Sequence, residues 1–76
     1  MFVNDLGLAA FLTVQGFPVT RIDGPRGHRA FHFADDSRIP DECRAYLGGA
    51  AVPARLYAEA LRTTKNLMHV TDDVSM

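Results

Sequence analysis

Asp23-Gly-Pro-Arg-Gly27 gathers two glycines and a proline within five residues, between two stretches of extended character. Glycine accepts positive φ and proline fixes φ at about −65°, so the chain reverses direction there. On the N-terminal side Phe17, Val19 and Ile22 surround Thr20 and Arg21, with Pro18 where a strand begins or runs along an edge. On the C-terminal side, Arg29, Phe31 and Phe33 alternate with His28, Ala30 and His32. The segment reads as a β-hairpin. Burial of each phenylalanine contributes about 1.5–3 kcal/mol, which fixes the register and turns the histidine face outward.

Helical periodicity flanks the hairpin. Asn4 or Asp5 can cap a first helix that Gly16 ends, with Leu8, Phe11, Leu12 and Gln15 on one face and Ala9 widening the stripe. Gly7 inside it costs about 1 kcal/mol relative to alanine. Asp35-Asp-Ser37 can start a second helix, with Pro40 in its first turn, Ile39, Cys43, Tyr46 and Leu47 at helical spacing, and Gly48-Gly49 as the stop. A third begins near Pro53, and its stripe is Leu56, Tyr57, Ala60, Leu61, Thr64, Leu67 and Met68. Arg55, Glu59, Arg62 and Asn66 face away from that stripe. Residues 71–76 have no periodicity and are expected to fray. The expected fold class is α+β: an αββαα domain over residues 1–70, a two-stranded antiparallel hairpin packed on three helices. Its expected core is Leu8, Phe11, Leu12, Phe17, Phe31, Phe33, Tyr46, Leu56, Leu61 and Leu67.

A chain of 76 residues has room for one core. Such a core leaves only about 3–5 kcal/mol of net stability, so a homodimer or another partner is open to it. Eight Lys and Arg against nine Asp and Glu give a net charge of −1, not the broadly basic surface of a phosphate-neutralising protein. Cys43 has no second cysteine to pair with, and no apolar run reaches the length of a membrane span. The opening Met1-Phe-Val-Asn-Asp5 lacks the basic and apolar regions of a signal peptide, so a cytoplasmic setting is expected.

Several stretches are familiar as a set: Asn4-Asp-Leu-x-Leu-Ala-Ala-Phe-Leu, Gly16-Phe, Ala30-Phe-His-Phe-Ala-Asp, and Val52-Pro-Ala-Arg with Ala60-Leu-Arg-Thr-Thr-Lys-Asn-Leu. Together they resemble a family of small uncharacterised single-domain proteins of bacteria, phages and mobile elements, over residues 2–69. The resemblance implies a fold and a mobile-element setting, and carries no catalytic residue onto the chain. The hairpin is richer in basic residues and histidines than that pattern.

The chemistry-bearing residues are few. On a strand, His28 and His32 stand about 13 Å apart, too far to share a metal ion, and Cys43 lies on the apolar stripe of its helix. No metal and no cofactor are expected. A domain this small has little room for a water-excluding pocket, and the acid pairs at 35–36 and 41–42 have a structural role at a helix start. The expectation is that the chain is not an enzyme.

The charge layout points to binding. Arg21, Arg26 and Arg29 crowd the hairpin, Asp35, Asp36, Asp41 and Glu42 crowd the next connection, and Arg55, Arg62 and Lys65 lie on the third helix. A mixed-sign surface for solubility accounts for such a pattern equally well. The functional reading is a protein-binding module, most concretely an anti-CRISPR-like inhibitor of a host ribonucleoprotein defence complex, whose acidic patch occupies basic nucleic-acid grooves. The alternatives are a nucleic-acid-binding accessory factor using the basic patch, and a structural or oligomerisation piece. Against nucleic acid stands the expectation that the core takes up the phenylalanines, leaving few aromatics for stacking on bases.

Overall fold

The computed structural model of the chain describes residues 1–25 and 27–74, with side chains through residue 69. The elements run β1 (Phe2–Val3), α1 (Leu6–Val14), β2 (Val19–Asp23), β3 (Ala30–Phe33), α2 (Ile39–Leu47) and α3 (Ala54–Val74). The fold is α+β, with a three-stranded antiparallel sheet ordered β1-β3-β2 and three helices. This corrects the αββαα order and the two-stranded hairpin. The expected hairpin forms as β2 and β3, but β3 is central, because the first residues fold back onto its other edge. Phe2 pairs with His32 and Val3 with Phe31, and the Phe33 amide donates to the Met1 carbonyl at 2.9 Å. A two-residue strand has no period to read; it exists because the open edge of β3 offers unpaired backbone groups.

The hairpin register follows its phenylalanines. Phe31 and Phe33 are 1% and 3% exposed, while His28 is exposed and His32 lies on the outer face. Gly24 sits at φ +93°, and a Cβ there would come within 2.6 Å of the His28 carbonyl, so the turn requires glycine. A register shift between Val19 and Arg21 sets Thr20 out of step with the ladder.

Asp5 caps α1, its Oδ1 accepting from the Leu8 amide at 2.9 Å. Ala9, Ala10, Phe11 and Leu12 are all buried, so most of the circumference of α1 is covered. Phe11 and Leu12 cluster with Phe17, Phe31, Phe33 and Ile39; Leu8 and Tyr46, expected in the core, are half-buried against its rim.

The stripe expected on α3 divides in two. Ala60 and Thr64 are buried and Tyr57, Leu61 and Met68 half-buried, but Leu56 and Leu67 are 51% and 43% exposed. Neighbouring residues on a helix stand about 100° apart, and α3 packs chiefly on α1 along one line, so Tyr57 and Met68 are covered while Leu56 and Leu67, one position earlier, are left to solvent. The same offset leaves Leu47 exposed beside Tyr46. Helix α3 also continues through Val74, over most of the segment expected to fray; residues 75 and 76 lie outside the described residues.

Candidate functional site

The acids of the β3 to α2 connection are largely engaged by neighbours. Asp36 accepts from the Arg38 amide at 2.9 Å and from its guanidinium at 3.0 and 2.7 Å. These bonds hold its carboxyl down to about 2. The same guanidinium lies 5.0 Å from the centre of the Phe17 ring. Asp41 pairs with Arg44 and Glu42 accepts from Gln15 Nε2 at 2.9 Å, while Asp35 stands out in solvent 3.2 Å from the Met1 amine. Arg38 and Arg44 stand two and three residues from Asp36 and Asp41, a spacing that permits these pairs, and the rotamers make them. A cleft of about 170 Å³ opens beside this loop, lined by Phe17, Phe33, Asp35, Asp36 and Arg38 among others.

The basic residues fall into two groups. On the hairpin, Arg21 pairs with Asp23 at 3.2 Å and Arg29 donates to the Gly24 carbonyl at 2.5 Å; Arg26 lies outside the described residues. On α3, Arg55 reaches Glu59 at 3.4 Å, and Arg62 and Lys65 are exposed.

What the sequence did not reveal is a row of side chains across the outer face of the sheet. The register sets Phe2 of β1, His32 of β3 and Arg21 of β2 side by side. Phe2 is 55% exposed, its ring centre 5.5 Å from that of His32 and tilted by 40°. Asp23 fixes the other end of the row, 2.9 Å from His32 Nε2 and 3.2 Å from Arg21 Nη2. The bond with His32 and the charges beside it draw the Asp23 carboxyl below its usual range. Not every phenylalanine is in the core: Phe2 is presented to solvent by a strand that exists only through long-range pairing.

Other candidate groups stay apart. Cys43 is half-buried on α2, where burial pushes its thiol up, and His69 is exposed on α3. Among the described residues, no three His, Cys, Asp or Glu side chains converge on a point that could hold a metal ion, and no helix is long and apolar enough to cross a membrane. The row on the sheet is open to solvent and its polar groups hold one another in place, a geometry suited to contact. Comparison with models of protein families, with curated proteins and with solved structures finds no match.

Proposed function

We propose that the chain is a non-enzymatic protein-binding module whose contact surface is the outer face of the sheet, centred on Phe2, His32 and Arg21. The observation that carries this reading is the exposed Phe2 ring in a row with an ordered arginine. Aromatic and arginine side chains supply most of the binding energy at protein interfaces, and groups already held in place lose little entropy on contact. Inhibition of a host defence complex is a narrower form of the same proposal, supported by the mobile-element resemblance. The acidic patch contributes less to it than its composition suggests, since Asp36 and Asp41 are neutralised by Arg38 and Arg44.

A second reading, the nucleic-acid accessory factor, gains from the same ring: Phe2 can stack on a base while Arg21 and Arg29 meet phosphates. Asp23 within the row and the net charge of −1 favour protein over nucleic acid.

The test is capture from a bacterial host extract on the immobilised chain, beside Phe2→Ala and Arg21→Ala variants whose folding is checked by circular dichroism. A protein retained by the parent and lost by both variants supports the proposal, and ribonucleoprotein subunits would support its narrower form. A protein retained equally by all three overturns the assignment of the surface. A shift of single-stranded or duplex DNA by micromolar protein at about 150 mM salt, where screening acts within roughly 8 Å, would replace it with the second reading.

A further inference from the structure

The neighbours of His32 decide which of its ring nitrogens carries the proton. Nε2 lies 2.9 Å from Asp23 Oδ1 and 3.4 Å from Arg21 Nη2. The Asp23 carboxyl is drawn below its usual range and is ionised at neutral pH, so it only accepts, while a guanidinium only donates. The 2.9 Å contact therefore requires the proton of the neutral imidazole to sit on Nε2, and Arg21 turns its own donor to Asp23 Oδ2 at 3.2 Å. The other nitrogen, Nδ1, is left as an acceptor, and among the described residues nothing donates to it. His32 is also the least exposed member of the row, with 21% of its side chain in solvent against 66% for Arg21 and 49% for Asp23. On its other side stands Phe2, ring centres 5.5 Å apart and open to solvent.

We infer that this face takes a tyrosine of the partner protein, its ring against Phe2 and its hydroxyl donating to His32 Nδ1; the inference rests on the sheet-face reading and names what that face recognises. Two features select the chemistry. A contact that covers His32 removes water from Nδ1, and an acceptor desolvated without a donor is penalised, so the occupant must bring an O–H or N–H. Beside that acceptor the exposed Phe2 ring favours an aromatic body, packed offset or edge-on with centres about 4.5–7 Å apart. Tyrosine joins both in one rigid side chain with few torsions to freeze. Asp23 and Arg21 compensate each other's charge, which gives a ring with a neutral hydroxyl the advantage over an anion or a cation.

Protonation works against this contact. Histidine is the side chain whose charge ordinarily changes between about pH 5 and 8. With Nε2 already protonated, a second proton goes onto Nδ1 and turns the acceptor into a donor. Among the described residues, the charged groups facing the ring are Asp23 and Arg21 of β2; β1 presents Phe2, which does not titrate, and the Met1 amine is paired with Asp35. Acid should thus remove the preference for a hydroxyl.

The test is an NMR titration of the full chain at pH 7.5 with N-acetyl-tyrosine amide and, separately, N-acetyl-phenylalanine amide, each to about 20 mM. The tyrosine probe should shift the Phe2 and His32 signals with an affinity roughly fivefold or more above that of the phenylalanine probe, and His32 should carry its proton on Nε2. His32→Leu should erase the preference, and Phe2→Ala should weaken both probes. His32→Gln keeps a donor for Asp23 and an acceptor beside it but does not titrate, so it should hold the preference at pH 5.5, where the parent loses it. Equal affinity for the two probes, a proton on Nδ1 at pH 7.5, or no shift at His32 with either probe overturns the inference. The sheet-face reading is judged separately, by capture of a protein that Phe2→Ala and Arg21→Ala abolish. Such capture without a tyrosine preference keeps the face and removes this occupant, and capture indifferent to Phe2→Ala and Arg21→Ala removes both.

Discussion

The Tyr57 hydroxyl donates to the Gly7 carbonyl at 3.2 Å, across 50 residues of sequence. A Cβ on Gly7 would lie 2.6 Å from the Tyr46 hydroxyl and 3.0 Å from that of Tyr57. The glycine that weakens α1 as a helix thus clears the space in which α2 and α3 each bring a tyrosine onto it, and local propensity yields to tertiary packing.

Gly7→Ala separates these effects. Alanine gains about 1 kcal/mol of helix propensity, while displacing two constrained hydroxyls costs about 1–3 kcal/mol, so the variant should be less stable than the parent. In a Tyr46→Phe background the nearest hydroxyl is gone while the Tyr57 hydroxyl and Asp5 Oδ1 remain at 3.0 and 3.1 Å, so the same substitution should become less destabilising. Urea denaturation of the four proteins checks this; an equal effect of Gly7→Ala in both backgrounds would show that the tyrosines do not set the requirement.

How much of this was legible depends on the range of the interaction. Phe31 and Phe33 gave away the hairpin register because alternation is local, and Asp5 and Gly48 marked helix ends through contacts within one turn. Strand β1 was hidden because Phe2 and Val3 become a strand only against an edge 28 to 30 residues away. On α3 the pairs Leu56-Tyr57, Ala60-Leu61 and Leu67-Met68 satisfy two helical lines at once, and which line is covered depends on where α1 lies. The acidic patch could be read as composition, but its partial neutralisation by Arg38 and Arg44 is a matter of rotamers.

Two pH effects should bracket stability. Asp36 is held at about 2 by its bonds with Arg38, below the usual carboxylate value, so its contribution is fully present above about 4 and is lost as pH falls toward 2. Tyr57 is pushed up to about 12 by burial and by its bond with Tyr46, so its contribution is fully present below about 10 and is lost as pH rises toward 12. Carboxyl carbon shifts followed by NMR should show Asp36 titrating near its low value in the parent and back in the ordinary range in Arg38→Ala. An unchanged titration in that variant would refute the assignment.

Cys43 should react slowly. Its thiol is half-buried beside the core cluster and burial raises its pKa, so little thiolate is present at neutral pH. Labelling with a chromogenic disulfide at pH 7.5 should be at least tenfold slower in folded protein than in urea. Equal rates would place the thiol in solvent.

The division of α3 into a covered and an exposed line predicts a contrast between residues that the sequence ranks alike as core. Phe31 is 1% exposed and packed in the central cluster, so Phe31→Ala removes buried surface and leaves a cavity, at a cost of about 3–5 kcal/mol. That is comparable to the whole stability of so small a domain, and the variant should be largely unfolded at 25 °C. Leu67 is 43% exposed, so Leu67→Ala gives up only part of a side chain's burial and should cost less than about 1 kcal/mol. Thermal denaturation of both variants beside the parent measures the two deficits. A deficit for Leu67→Ala as large as that of Phe31→Ala would mean that Leu67 belongs to the core after all.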